Sequence, residues 1–112
     1  TSSQELAECA VRLGMMIAFS GIVTFKNAED LRETAKALPL ESILVETDSP
    51  FCAPVPMRGK RCEPAFVVHT ATAVAELRGI PLSEFAAATT ENFERLFPKV
   101  SAAQNSREGA LA

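Results

Sequence analysis

The spacing of hydrophobic and polar positions predicts that helices and short strands alternate in the first half of the chain. Apolar residues recur at helical intervals over 3–13, and a second helix is predicted over about 28–38. Two nearly continuous apolar runs, 15–19 and 43–47, are typical of strands that other elements cover on both faces. The apolar stretch 22–25 predicts a turn or a bulged continuation of the first strand. This order of elements predicts an α/β fold with parallel strands.

Residues that commonly begin or end helices support these boundaries. Ser2 and Glu5 have the spacing of a capping box, and Gly14 is placed to end the first helix. Asn27 is placed to cap the second helix, which Pro39 closes. The first two helices are therefore predicted to be short and to be separated by the first strand.

The second half of the chain is predicted to be mostly helical. Pro64 at a first helical position and Gly79 just beyond the last turn define a helix over 63–78. A short helix is expected over 81–88, followed by another over 90–96. The predicted helices therefore outnumber the predicted strands, as expected of a fold in which helices cover the strands.

The composition is that of a globular protein. Of the 112 residues, 47% are hydrophobic and 22% are charged, and no apolar run is long enough to span a bilayer. Residues 1–20 show no secretory signal. We therefore expect a soluble, cytoplasmic protein that has no membrane partner.

Charge and cysteine content argue against several kinds of site. The formal net charge of −3 provides no global basic field for nucleic acid, so any phosphate contact must come from a local patch. Cys9, Cys52 and Cys62 are an odd number of cysteines, and the chain has one histidine. A disulfide framework or a thiolate zinc site is therefore not expected.

The end of the second predicted strand carries two acids. Side chains alternate along a strand, so Glu46 and Asp48 face one side while Thr47 faces the other. Buried carboxylates are costly unless they are paired or bind a metal, so this pair is a candidate site. The alternative is an ordinary strand end whose acids face water.

Two parallel strands with their helices do not close a sheet. Their edges would leave backbone donors and acceptors unpaired, which favours pairing with further strands or with a second copy of the chain. A complete parallel barrel has eight strands in roughly 250 residues and keeps its active site at the carboxyl ends of those strands. The acids at the end of the second strand lie where such a barrel places its chemistry.

Several segments agree, in order and spacing, with the C-terminal part of one enzyme family. They are Phe-Ser-Gly-Ile-Val-Thr-Phe-Lys-Asn-Ala at 19–28, Glu-Thr-Asp-Ser-Pro at 46–50, Ala-Pro-Val-Pro at 53–56, Arg-Gly-Lys-Arg at 58–61, Ala-Glu-Leu-Arg-Gly-Ile at 75–80 and Thr-Thr-Glu-Asn at 89–92. Over residues 1–98 the chain resembles the TatD family of metal-dependent deoxyribonucleases. Residues 99–112 are small and polar without periodicity, which predicts a disordered tail.

The resemblance implies a (β/α)8 TIM barrel of the amidohydrolase-like superfamily, of which this chain supplies the last two parallel strands and their flanking helices. It implies a divalent metal centre of Mg, Mn or Zn, with two metal sites in the complete parent, and DNA as the parent's partner and substrate. Asp48 matches the metal-binding aspartate of the last strand, which binds metal and orients or deprotonates the attacking water. Glu46 is expected to support this centre by pairing with a basic group, in preference to binding metal directly.

The family's other metal-binding residues are missing from this sequence. Members carry a His-x-His on the first strand, a glutamate on a middle strand and histidines on two later strands, so the chain is expected to be catalytically incomplete alone. His69 falls in the middle of a helix that packs outside the barrel, and we expect a packed or hydrogen-bonded core histidine, remote from the strand ends, in preference to a replacement metal ligand. Cys62 stands where the family more often has an asparagine cap, which predicts a less firmly held helix start.

Arg58, Lys60 and Arg61 follow directly on the acidic strand end and are expected to hold substrate phosphates at the same mouth. The alternative is a merely solvated loop. Because the chain has no Trp or Tyr, base stacking along a groove is not favoured, although Phe51 is available for it. Two other functions remain open: a non-catalytic truncated module that packs against a partner chain, and another hydrolase of the same superfamily. No glycine-rich phosphate loop supports a small, complete phosphate-binding domain.

Overall fold

The computed structural model describes residues 3–99, and over that range strands and helices alternate before two final helices. The strands are β1, Ile17–Phe19, and β2, Ile43–Val45. The α-helices are α1, Gln4–Arg12, α2, Glu29–Ala37, α3, Val67–Arg78, and α4, Leu82–Leu96. Short 3-10 helices are formed by Gly21–Thr24, Leu40–Ser42 and Pro64–Phe66.

The two strands pair in parallel, as the sequence predicts. The register places Phe19 opposite Val45, and the Glu46 N–H donates to the Phe19 carbonyl oxygen at 3.0 Å. Both strands are shorter than the predicted runs 15–19 and 43–47. Within residues 3–99 each strand has the other as its single hydrogen-bonded neighbour.

One face of this two-stranded sheet is covered by helices and the other is open. Ile17, Phe19 and Ile43 on the covered face are buried, whereas Ala18 on the opposite face is exposed and Leu44 is half-buried. The core contains residues from both strands and all four helices: Ala7, Ile17, Phe19, Val23, Ala35, Leu38, Ile43, Ala71, Val74, Ala75 and Phe85. The described residues therefore form a helical layer packed on one face of a two-stranded parallel sheet.

The apolar stretch 22–25 is not a continuation of β1. It belongs to a 3-10 helix, in which the Thr24 hydroxyl donates to the Gly21 carbonyl at 2.7 Å. Val23 in this turn is 1% exposed, so the apolar composition reflects burial of a turn against the helices rather than strand pairing. Sequence periodicity alone does not separate these two cases in so short a run.

Helix caps agree with the sequence at some positions and differ at others. Gly14 and Gly79 lie just beyond α1 and α3 with φ of 87° and 67°, as expected of glycines that end helices. The Ser3 hydroxyl accepts a hydrogen bond from the Leu6 N–H, so Ser3 caps α1, while Ser2 lies outside the described residues. The expected Asn27 cap was wrong.

At the start of α2 the N-cap position belongs to Ala28, without a side-chain hydrogen bond. Asn27 is exposed in the preceding turn. The turn that Phe25 begins, with the Ala28 N–H donating to its carbonyl at 3.1 Å, brings the chain into the helix one residue later than the cap prediction assumes.

A single helix, α4, replaces the two helices predicted over 81–88 and 90–96. Thr90, where the second of these helices is predicted to begin, lies inside α4, and the hydroxyl of the preceding Thr89 donates to the Ala86 carbonyl oxygen within the helix at 3.1 Å. Asn92 is 2% exposed, and its side-chain amide donates to the carbonyls of Leu40 at 2.9 Å and Ile43 at 2.8 Å. The middle of α4 is thus fixed to the start of β2.

Within residues 3–99 no helix has the length and apolarity needed to cross a membrane. The tail predicted over 99–112 lies outside the described residues, apart from Lys99, which is exposed. The structure therefore leaves that prediction untested.

Candidate functional site

The loops that follow β1 and β2 lie at the same end of the sheet, because the two strands are parallel and their carboxyl ends are side by side. We call residues 20–28, which follow β1, the first rim loop, and residues 46–63, which follow β2, the second rim loop. Together they form the rim. The predicted acids and the predicted basic residues all lie on the second rim loop.

The two acids continue the alternation of β2 beyond its last paired residue. Glu46 and Asp48 are exposed, while Thr47 between them is half-buried and accepts a hydrogen bond from the Ser49 hydroxyl at 2.9 Å. The Asp48 carbonyl accepts the Phe51 N–H at 2.8 Å, which fixes its backbone in a turn. Within the described range no hydrogen bond or ion pair involves the Asp48 carboxylate. Its backbone is held and its carboxylate is free to bind a ligand.

The described residues do not form a complete metal site. Among residues 3–99 there is no group of three or more His, Cys, Asp or Glu side chains that could hold a metal ion. Asp48 can contribute one carboxylate, whereas a hard divalent ion needs several converging oxygen or nitrogen donors. Any metal bound at the rim must take its other ligands from outside this range.

Glu46 lines open depressions on both sides of the strand pair. It borders a depression of about 320 Å³ with Ser20 and Ile22, and another of about 430 Å³ with Leu44 and Phe93. Within residues 3–99 no basic side chain forms an ion pair with it. The basic partner expected for Glu46 therefore stays a prediction, since the face of the sheet on which it lies is open.

Arg58, Lys60 and Arg61 are exposed on the second rim loop. The Arg58 guanidinium lies over the ring of Phe25 on the first rim loop, with 3.8 Å from its central carbon to the ring centroid. None of the three cations has an acidic partner among the described residues, where the recorded ion pair joins Lys36 to Glu33. Their charges are therefore available for an external anion.

His69 is packed, although it lies closer to the rim than predicted. Its ring meets Phe66 edge-on with centroids 5.9 Å apart, and it is half-buried on α3. It lines a cavity of about 640 Å³ with Thr24 and Val55 of the two rim loops, so it is not remote from the strand ends. Asp48 does not line this cavity. The structure does not bring His69 and Asp48 together.

Cys62 does not occupy the helix cap. The N-cap position before Pro64–Phe66 belongs to Glu63, and the Cys62 side chain is 3% exposed. The Cys62 N–H donates to the Pro50 carbonyl at 3.0 Å, and the Ser49 hydroxyl lies 3.5 Å from its sulfur. Cys62 therefore closes the second rim loop beneath the turn that carries Asp48, and the cap interpretation was wrong.

Contacts between the two rim loops were missed by sequence reasoning. The Val55 N–H donates to the Thr24 hydroxyl oxygen at 2.9 Å, between residues 31 positions apart. A Cβ at Gly21 would clash with the Cys52 carbonyl oxygen, so the loop backbones approach closely there. The sequence offered one signal: each of the two strands is followed by a motif of the same family. Neither motif by itself indicates that the two loops contact each other.

Residues 1–98 match the sequence profile of the family described as TatD related DNase. The chain belongs to the TatD family. YcfH of Escherichia coli K12, described as an uncharacterized metal-dependent hydrolase, is 53% identical over 97 residues, covering 87% of this chain and 37% of that protein. YabD of Bacillus subtilis 168, described in the same words, is 44% identical over 97 residues, covering 87% of this chain and 38% of that protein. The chain thus spans little more than a third of the length of these TatD-family relatives.

Solved TatD structures share this fold. The crystal structure of YjjV, a TatD homolog from Escherichia coli K12, has a TM-score of 0.77 and 32% identity, over 84% of this chain and 36% of that chain. A TatD-family hydrolase from Entamoeba histolytica has a TM-score of 0.69 at 21% identity, over 82% of this chain and 38% of that chain, which is a likeness of fold alone. The predicted fold class is confirmed: the α/β unit is part of the TatD TIM barrel.

Proposed function

We propose that this chain is the part of a TatD-family metal-dependent hydrolase that carries the last metal-binding carboxylate and a phosphate-binding loop, and that the whole enzyme cleaves phosphodiester bonds in DNA. The observation that carries the proposal is the free Asp48 carboxylate at the carboxyl end of a parallel strand, the place where barrel enzymes keep their reacting groups. Exposed, unpaired cations on the same loop add a means of holding a polyanion.

The residues divide into three roles. Asp48 would bind a divalent ion together with ligands from the rest of the barrel, and such an ion supplies activation of water near neutral pH. Arg58, Lys60 and Arg61 would contact phosphate oxygens, because guanidinium and ammonium groups form strong charge-assisted hydrogen bonds with them. Glu46 would support the centre from the inner face of the sheet by pairing with a basic group of the missing strands.

Family membership supports the reaction class. The profile that matches residues 1–98 is described as TatD related DNase, and YcfH and YabD are named metal-dependent hydrolases. Since this chain covers 37% of YcfH, the activity belongs to a complete barrel rather than to these residues alone. Hydrolysis requires at least the donors that the described range lacks.

A chimera tests the proposed function. The aligned segment of YcfH is replaced by the matching 97 residues of this chain to give a complete barrel, which we call the YcfH chimera. We expect it to cleave single-stranded DNA and bis(p-nitrophenyl) phosphate, to lose both activities with EDTA, and to regain them with Mg, Mn or Zn. Unaltered YcfH is the control. Cleavage by YcfH but not by a well-folded chimera would contradict the proposal and favour a non-catalytic module.

Packing against further strands or a second copy is a second proposed role for this chain. It is supported by exposed apolar side chains on both sides of the strand pair. At the β1 side Leu13 is 76% exposed and Met15 60% exposed, and at the β2 side Phe93 and Leu96 are each 43% exposed. We infer that further barrel strands cover these residues, and that the chain alone self-associates through the same edges. Sedimentation of the chain alone should show association that a Phe93→Ser/Leu96→Ser variant reduces; a monodisperse monomer at all concentrations would refute it.

A further inference from the structure

We propose that the first rim loop is a brace that sets the position of Arg58, and that Thr24 and Phe25 are positioning residues for the binding of a DNA phosphate. The inference rests on the proposed function, because Arg58 is there the residue that touches substrate. Thr24 and Phe25 act through Arg58 and through the loop that carries it. Neither residue is needed to bind the metal or to carry out the chemical step.

The first rim loop is itself fixed by the helical layer. Arg32 on α2 donates from its guanidinium to the backbone carbonyls of Val23 and Lys26, at 3.4 and 3.3 Å, and forms a shorter hydrogen bond with the carbonyl of Phe25. One planar guanidinium thus holds three carbonyls of this loop. The Phe25 ring therefore extends from a backbone that is held in place from behind.

The second rim loop is fastened to this held backbone at two points before Arg58. The Thr24 hydroxyl accepts the Val55 N–H at 2.9 Å and donates to the Gly21 carbonyl at 2.7 Å, so its donor and acceptor capacities are both used. At Gly21 the absence of a Cβ lets the Cys52 carbonyl approach the first loop. The backbone contact and the hydrogen bond together hold residues 52–55, the part of the second rim loop that precedes Arg58.

The Phe25 ring completes the brace at Arg58 itself. The guanidinium lies over the ring at 3.8 Å from the centroid, a cation–π contact that joins the two loops. One face of the guanidinium is occupied by Phe25 and cannot stack on a base. Its N–H groups lie around the edge of the plane, so a phosphate that approaches edge-on can be held by two parallel hydrogen bonds. The arrangement favours reading of the DNA backbone rather than of base identity.

The test uses the YcfH chimera and separates binding from chemistry. Thr24→Val removes the hydroxyl but keeps the shape, Thr24→Ser keeps the hydroxyl, and Phe25→Leu removes the ring. Loss of one such contact corresponds to about a fivefold change in an equilibrium constant. We therefore expect Thr24→Val and Phe25→Leu each to raise KM for single-stranded DNA about fivefold with kcat unchanged within about twofold. Thr24→Ser, which keeps the hydroxyl, should leave KM for single-stranded DNA at the value of the unsubstituted chimera.

Coupling to Arg58 distinguishes a brace from general destabilisation. In an Arg58→Gln background, Phe25→Leu should no longer change KM for DNA, because the contact that it removes is already absent. If Phe25→Leu acted by destabilising the fold, its effect on KM would persist in the Arg58→Gln background. Thermal unfolding would then also show a lower melting temperature. Ser83→Ala in the first turn of α4 is the control for loss of a hydroxyl, since Ser83 is exposed and lines none of the depressions at the rim.

Each outcome has one consequence. A chimera that cleaves DNA with an unchanged KM in both Thr24→Val and Phe25→Leu overturns the brace while the proposed function stands. A chimera that cleaves neither substrate overturns the proposed function and, with it, the role assigned to Arg58. If Thr24→Val fails to fold, the Phe25→Leu and Arg58→Gln combination decides the question, and an undiminished effect of Phe25→Leu without Arg58 refutes the inference.

Discussion

The helical layer and the rim use the same kind of residue in opposite ways. In the helical layer, Arg32, Arg78 and Arg95 each donate to backbone carbonyls; Arg78, for example, bonds the carbonyls of Ala35 and Leu38 at 2.7 Å. On the rim, neither Arg58 nor Arg61 donates to any carbonyl or carboxylate among the described residues.

The difference shows where the chain keeps unused binding capacity. Arginine carries five N–H donors. Exposed donors without a protein partner are hydrogen-bonded by water, so they cost no stability and remain available to a ligand. Donors that are internally satisfied stabilise the fold, and donors left free can contact a substrate. We therefore expect substitution of Arg78 or Arg95 in the helical layer mainly to lower stability, and substitution of Arg58 or Arg61 on the rim mainly to lower activity.

The largest effect that would separate the two regions is expected at Asp48. In the YcfH chimera, Asp48→Asn should lower kcat/KM for DNA by about 100-fold or more, because it removes a charged metal ligand, a loss of roughly 2.7 kcal/mol of transition-state stabilisation. The melting temperature without metal should stay the same, since the carboxylate has no partner among residues 3–99. Asp30→Asn, in the exposed first turn of α2, is the control for removal of one negative charge. An active Asp48→Asn enzyme would contradict the assigned role.

The next largest effect is expected in the helical layer at Asn92. Replacing this buried residue by Leu leaves the Leu40 and Ile43 carbonyls without their donor, which costs about 2–3 kcal/mol. In a barrel of this size we expect the melting temperature to fall by about 4–10 °C. Asn27→Leu, at an exposed turn position, should change it by less than about 1 °C. Equal effects at the two asparagines would show that the α4 cross-link is not stabilising.

Sequence reasoning predicted the parts of this fold that local chemistry determines. The parallel pairing follows from two continuous apolar runs separated by a helix, and the ends of α1 and α3 follow from Gly14 and Gly79. These signals are contained in a few adjacent residues. For the site, the pattern placed Glu46 and Asp48 on one side of a strand end, where both are exposed beside a half-buried Thr47.

The rest depends on contacts between distant positions. The stretch 22–25 is apolar because Val23 is buried under the helices, which a strand would also require, so the pattern could not decide between them. The break predicted before Thr90 is absent, and Asn92 in the same helix bonds carbonyls 49 and 52 positions earlier in the chain. The link between Thr24 and Val55 has the same character. Tertiary partners of this kind leave no mark on local sequence.

A sharper version of the comparison exchanges arginine for methionine in each region. Arg78→Met should lower stability by about 1–2 kcal/mol, because the carbonyls at the end of α2 lose a charged donor. Arg61→Met on the rim keeps similar bulk and should leave the melting temperature unchanged within about 1 °C. It should raise KM for DNA, and the rise should shrink at high salt as ion screening weakens the contact. A stability loss at Arg61 equal to that at Arg78 would remove the distinction between the two regions.

The smallest expected effect uses one glycine with positive φ from each of the two regions. Gly79 after α3 and Gly59 in the second rim loop have φ of 67° and 85°, and a Cβ at either would meet no atom within 4 Å. Alanine at either position should therefore cost about 1 kcal/mol through backbone strain alone. Because Gly59 lies between Arg58 and Lys60, its substitution should also raise KM for DNA, whereas Gly79→Ala should change only the melting temperature. If Gly59→Ala altered stability without altering KM, the geometry of the basic loop would have no part in substrate binding, and the free cations of the rim would be ordinary solvated charges.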